Sequence, residues 1–208
     1  MKLKGLYAIT DSNLISQDSI VQRVSEAILG GAAIIQLREK ERSDGELMEL
    51  ASRLCHLCKK QGAIFIVNDR VKLAQKVHAH GVHIGKDDSD LYTARKMLPD
   101  KIIGVSCYNS LQRAIEMEEA GADYVAFGSF FPSPTKPQAV KAPLTLLQEA
   151  RKVLSIPICA IGGITPENAA HVIEAGAHMV AVISSLWKAP DIKEQAQRFA
   201  RLFEKRSF

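Results

Sequence analysis

The most constraining feature of this chain is a rhythm. A short apolar run followed by an amphipathic stretch occurs eight times, at a spacing of roughly 25 residues. Leu6-Tyr7-Ala8-Ile9, Ile64-Phe65-Ile66-Val67 and Met179-Val180-Ala181-Val182-Ile183 are such runs. Runs apolar on both faces suit strands buried in a parallel sheet. Between them lie helical patterns, such as Ile20, Val21, Val24, Ala27 and Ile28. Ser43 with Glu46 has capping-box spacing, and Thr165 with Pro166 reads as another helix start. Gly-Ala recurs at Gly31-Ala32, Gly62-Ala63, Gly121-Ala122 and Gly176-Ala177, a helix stop ahead of a strand. Eight such units predict an α/β fold, a (β/α)8 TIM barrel, as one domain over residues 1–208. An open doubly wound sheet competes, but no G-x-G-x-x-G follows the first strand.

With 208 residues, 47% of them apolar, a single core suffices without disulfides or structural metal. The net charge of +4 comes from scattered residues. With no Lys/Arg block and no aromatic interleaving, nucleic-acid binding is not expected. No run is long and apolar enough for a membrane span, and the first strand begins at once, so the chain reads as cytoplasmic. Cys55 and Cys58 form a single C-x-x-C within a helical pattern, which reads as small core thiols. Cys107 and Cys159 are placed at strand ends, Cys107 beside the candidate site.

In a barrel the chemistry sits where the strands end. Polar residues collect there. The second strand runs Ala33-Ile34-Ile35 and then Gln36-Leu37-Arg38-Glu39-Lys40. A period of two points Gln36, Arg38 and Lys40 to one side, a grip for a polyanion. Asn68, Asp69 and Asp88 at neighbouring strand ends offer hard oxygen ligands that suit Mg²⁺, although each aspartate could instead cap a helix. Ser106 ends the fifth strand. Ser133, Pro134, Thr135 and Lys136 lie in a long loop after the sixth. Gly162-Gly163 and Ile183-Ser184 follow the seventh and eighth strands, the usual phosphate site of this fold. Two phosphorylated small-molecule substrates are implied, one carrying a diphosphate held by the metal, Arg38, Lys40 and Lys136. No Cys–His or Ser–His–Asp set is evident, and His83 reads as a core or supporting histidine.

Seven motifs in order make the chain resemble thiamine-phosphate synthases: Gln36-Leu37-Arg38-Glu39-Lys40, Val67-Asn68-Asp69, Gly81-Val82-His83-Ile84-Gly85 with Asp88, Gly104-Val105-Ser106, Pro132-Ser133-Pro134-Thr135-Lys136, Ala160-Ile161-Gly162-Gly163-Ile164 and Val182-Ile183-Ser184. The resemblance implies joining of a hydroxymethylpyrimidine diphosphate to a thiazole phosphate with release of pyrophosphate. It implies that Gln36, Leu37, Arg38, Glu39, Lys40, Asn68, Ser106 and Lys136 bind the pyrimidine diphosphate. Arg38, Lys40, Lys136 and Ser106 form the catalytic set among them. Asp69 and Asp88 hold Mg²⁺, and Ser133, Pro134, Thr135, Gly163, Ile183 and Ser184 take the thiazole phosphate. Lys86 and Tyr108 depart from the family pattern, which commonly has Gln and often has His there, and bear on positioning of the pyrimidine. Rival readings are a related thiazole tautomerase and a non-catalytic phosphate-binding barrel. Oligomeric state stays open, a homo-oligomer included.

Overall fold

The computed structural model describes residues 2–85, 90–132 and 140–204. Its first half runs β1 Gly5–Ile9, α1 Ile20–Leu29, β2 Ala32–Leu37, α2 Asp44–Gln61, β3 Ile64–Asn68, α3 Val71–Lys76, β4 Gly81–Ile84 and α4 Leu91–Met97. Its second half runs β5 Ile102–Tyr108, α5 Leu111–Glu119, β6 Tyr124–Phe127, α6 Leu144–Val153, β7 Ile158–Ile161, α7 Ala169–Ala175, β8 Met179–Val182, α8 Ser184–Trp187 and α9 Ile192–Glu204. The strands pair in parallel in sequence order, and β8 closes on β1. The expected (β/α)8 barrel is therefore what forms. Among the described residues no helix is long and apolar enough to cross a membrane.

Local signals explain most boundaries. The Ser43 side chain accepts from the Glu46 amide while the Glu46 carboxylate accepts from the Ser43 amide, the reciprocal cap that starts α2. Gly62 ends the same helix at φ 76°, in the left-handed region. Thr165 and Pro166 do not open α7 as expected. The Asn168 side chain instead accepts from the Thr165 amide, holding a turn, and the helix begins only at Ala169. The short α8 was not anticipated. It carries Trp187, whose indole N–H donates to the Ile9 carbonyl at 2.6 Å and fixes the end of β1.

Closing the sheet sorts side chains into two cores. Leu6, Ala8, Ile35, Phe65, Val67 and Val105 point outward and pack under the helices. Tyr7, Ile9, Ile34, Ile64, Ile66, Tyr124, Cys159 and Met179 fill the barrel. In that interior Gly104 stands in register between His83 on β4 and Tyr124 on β6. Its missing side chain is what the Tyr124 ring occupies: a Cβ there would lie 1.9 Å from the ring. The Tyr124 and His83 rings stack across the gap, with centroids 5.6 Å apart.

At the opposite end of the barrel two histidines serve as backbone acceptors. His80 Nδ1 accepts from the Phe65 amide at 2.9 Å, and His178 Nδ1 from the Ile158 amide at 3.0 Å. Burial first, then nearby cations, lowers both imidazole pKa values below the ordinary 6.5. The neutral ring is thus favoured in the folded state, and this contribution is complete above pH 6.5 and lost as pH falls through the folded-state values. Melting temperature is expected to drop between neutral pH and about pH 5. His80→Asn with His178→Asn should flatten that slope, and an unchanged slope would exclude these two rings as its source. Gly104→Ala is expected to cost about 1–3 kcal/mol in denaturant titration, because neither Tyr124 nor the barrel wall can yield easily.

Candidate active site

The strand ends surround a cavity of about 200 Å³ at the carboxyl-terminal mouth of the barrel. Gln36, Arg38, Asn68, His83, Ser106 and Tyr108 supply its polar wall, and Ala126, Cys159, Ala181 and Ile183 its apolar one. The small side chains Ala126 and Ala181 leave the room. Four of the expected residues, Gln36, Arg38, Asn68 and Ser106, thus meet in one place.

Below them lies a hydrogen-bonded tier that crosses the barrel. Gln36 Nε2 donates to the Tyr7 hydroxyl at 2.6 Å, and the Tyr7 and Tyr124 hydroxyls bond at 2.8 Å. His83 Nδ1 meets the Tyr124 hydroxyl at 2.9 Å, and its Nε2 meets Ser106 Oγ at 2.9 Å. Burial, the leading cause, raises the pKa values of both phenols, so they keep their protons. His83 is therefore the supporting histidine expected, but Tyr7 and Tyr124 escaped the sequence reading. Each sits in an apolar strand, and only the barrel shows that their hydroxyls meet.

The alternation proposed for β2 holds for Gln36 and Arg38 and then stops. The strand ends at Leu37, so Lys40 lies on a bend, exposed, where a period of two no longer governs it. The Arg38 amide donates to Thr10 Oγ1 at 3.0 Å. The Leu37 side chain packs outward in the helix-facing core, which leaves its backbone alone for any ligand. Burial alone would raise the Glu39 pKa. Hydrogen bonds from the Glu41 amide, the Ser12 hydroxyl and the Lys40 amide outweigh it and hold the carboxyl below its ordinary value. Arg70, the residue ahead of α3, braces this bend. Its guanidinium pairs with Asp44 at 2.8 Å and donates to the Glu39 and Arg42 carbonyls at 3.0 and 2.6 Å.

Asp69 follows Asn68 at φ 61°, its amide donating to the His83 carbonyl at 2.8 Å. Asp88, Lys86 and the Ser133, Pro134, Thr135 and Lys136 loop lie outside the described residues. Tyr108 also has positive φ, 55°, and reaches the cavity from the end of β5.

A second cavity of about 230 Å³ adjoins the first, sharing Ile161, Gly162, Ala181 and Ile183 as a common wall. Gly163, Thr165, Ser184, Ser185 and Lys188 line it. Gly163 has φ 61°, and a Cβ there would lie 2.3 Å from the Pro132 carbonyl oxygen. Only glycine lets the β6 and β7 loops approach so closely. Lys188 was missed by the sequence reading. It follows Ser184 by one helical turn, a spacing legible only once α8 is recognised. Cys55 and Cys58 are the core thiols that the sequence suggests. Both lie on the buried face of α2, and burial, then the neighbouring Cys55, pushes the Cys58 thiol up to about 12. Cys107 points outward into the helix-facing core, whereas Cys159 faces the cavity. The placement of Cys107 beside the site is corrected by one step of strand alternation: Ser106 faces in, so Cys107 faces out.

A family model described as thiamine monophosphate synthase matches residues 6–186. The chain is 49% identical over 204 residues to a thiamine-phosphate synthase of Thioalkalivibrio sulfidiphilus, covering 98% of this chain and 97% of the relative. It is 50% identical over 202 residues to that of Nitrosococcus oceani, covering 97% and 93%. Among solved structures, thiamine phosphate pyrophosphorylase from Pyrococcus furiosus superposes with a TM-score of 0.89 at 37% identity, covering 97% of this chain and 96% of that one. Matches this long and this similar show that the chain belongs to the thiamine monophosphate synthase family.

Proposed function

We propose that the chain joins 4-amino-2-methyl-5-hydroxymethylpyrimidine diphosphate to 4-methyl-5-(2-hydroxyethyl)thiazole phosphate, giving thiamine phosphate and pyrophosphate. The observation that carries the reading is the pair of adjoining cavities at one barrel mouth, one walled by Gln36, Arg38, Asn68 and Ser106 and the other by Gly163, Ser184 and Lys188. Two substrates held across a shared wall suit a coupling reaction. A tautomerase or a binding protein acting on a single phosphate would need only the second cavity.

The pyrimidine lies in the first cavity with its diphosphate toward Arg38, Lys40 and Lys136. The bond from the exocyclic carbon to the diphosphate oxygen breaks, and the electron-rich ring stabilises the resulting cation. Arg38, with its forked donors, and the two lysines stabilise charge growing on the departing oxygens. The thiazole phosphate is held by Ser133, Pro134, Thr135, the Gly163 and Ile183 backbone, Ser184 and Lys188. Its ring nitrogen then attacks the carbon. That nitrogen carries no proton, so no general base is required, in keeping with phenols that keep their protons.

For the metal, the donor chemistry supports Mg²⁺. Asp69 follows Asn68, which lines the cavity, and the described residues contain no cluster of three or more His, Cys, Asp or Glu. One or two carboxylates completed by water and phosphate oxygens are what Mg²⁺ accepts, unlike a structural zinc cage. Asp69 and Asp88 would hold it, and bound there it would neutralise the leaving diphosphate.

The direct experiment incubates the protein with both substrates and Mg²⁺ and follows pyrophosphate; none released would refute the reading. Arg38→Ala is expected to fold and to lower turnover by about 10²–10³. Asp69→Asn combined with Asp88→Asn should abolish pyrophosphate release and weaken the pyrimidine diphosphate while thiazole phosphate still binds in calorimetry. Chelation should mimic the double variant, and Mn²⁺ should partly restore activity. Full coupling after chelation would leave the cations alone to carry the leaving group.

A further inference from the structure

We propose that Tyr7, Tyr124 and His83 are positioning residues that act through a directional hydrogen-bond chain, fixing which face of the Gln36 amide and of the Ser106 hydroxyl meets the substrate. The inference rests on the pyrimidine reading above and adds a determinant of specificity, selection of an aminopyrimidine over its oxo counterpart.

The direction follows from counting hydrogens. Gln36 Nε2 can only donate, so the Tyr7 oxygen accepts from it at 2.6 Å. Tyr7 has one hydrogen of its own, which goes to Tyr124 at 2.8 Å. Tyr124, having accepted, turns its hydrogen to His83 Nδ1 at 2.9 Å. A neutral imidazole that accepts at Nδ1 carries its proton at Nε2, which donates to Ser106 Oγ at 2.9 Å. The Ser106 hydrogen is then free to point into the cavity that Ser106 lines. Burial keeps both phenols protonated, so neither link becomes a bare acceptor that would reverse its neighbour.

At the other end, Gln36 is 2% exposed, and its Oε1 takes no hydrogen bond from the described residues. It is also not sealed and unpartnered; among the described residues Gln61 Oε1 is the one such atom. It therefore opens onto the cavity as an acceptor. An acceptor at Gln36 and a donor at Ser106 complement a ring that offers an amine hydrogen at one edge and a lone pair at another. An oxo group in place of the amine would face Gln36 Oε1 lone pair to lone pair. Turning the amide over would relieve this only if every link reversed, through two phenols, one imidazole and the Ser106 hydroxyl. The chain thus couples the two ends: Tyr7 and His83 line the cavity beside them, while Tyr124, between those two, does not line it.

The test measures binding of the 4-amino and 4-oxo pyrimidine diphosphates, and of thiazole phosphate, by calorimetry. In wild type, amino is expected to be favoured over oxo by about tenfold to a hundredfold, the cost of one mispaired buried acceptor. Tyr7→Phe keeps the ring and removes the partner that holds the Gln36 amide. It should shrink that preference by about tenfold or more, through weaker amino and stronger oxo binding, with thiazole phosphate unchanged. Tyr124→Phe, which cuts the chain one link further away, should shrink it less, and it is read in the same way should Tyr7→Phe not fold. Loss of both pyrimidines in equal proportion would mean that the tyrosines merely support the barrel, and would overturn the proposal. Wild-type binding of neither pyrimidine would instead refute the functional reading on which it rests.

Discussion

Closure of the parallel sheet is the constraint on which everything else here depends. Once β8 pairs with β1, each strand residue faces either the helices or the barrel axis, and no edge is left to absorb a misplaced side chain. The helix-facing set tolerates any good hydrophobic packing. The axial set must fill a fixed, narrow volume. Tyr124 can occupy that volume only because its neighbour in register is Gly104. A large ring and an absent side chain are thus one decision written at two positions 20 residues apart.

Filling the axis with tyrosines brings a second requirement, since a buried hydroxyl without a partner is costly. The barrel meets it with one continuous tier, Gln36, Tyr7, Tyr124, His83 and Ser106. Stability and function share this tier. Its members satisfy one another, and Gln36 and Ser106 at its two ends line the cavity together with Tyr7 and His83. Above it the side chains shrink to Ala126 and Ala181, so the packed interior gives way to a hollow at the strand ends. The loops then add charge where the axis no longer has to be filled.

The β2 exit shows how backbone geometry limits pattern reading. Gln36 and Arg38 follow the strand period into the cavity, but Lys40 belongs to a bend held from outside by Arg70. The bend is organised by carbonyls that Arg70 gathers, and nothing in the local sequence announces a partner from the start of α3. Leu37 and Glu39 likewise keep their place in the motif while their side chains turn to the outer core and to the Glu41 amide.

What the sequence determined by itself was periodic or local. The eightfold alternation, the capping box at Ser43 and Glu46, the left-handed stop at Gly62 and the gathering of Gln36, Arg38, Asn68 and Ser106 at strand ends all depend on residues close in the chain, or on a repeat that the barrel preserves. Only the tertiary structure decided that Tyr7 and Tyr124 meet, that Gly104 makes room for the Tyr124 ring, that Cys159 rather than Cys107 faces the cavity, and that Lys188 reaches the second pocket. Each of these depends on register and on which face of a strand or short helix points inward. A shift of one residue would invert them all while leaving composition and period untouched. The physical reason is that side chains close enough to exchange a hydrogen bond here are as much as 117 residues apart in the chain, and only closure of the barrel brings them into contact.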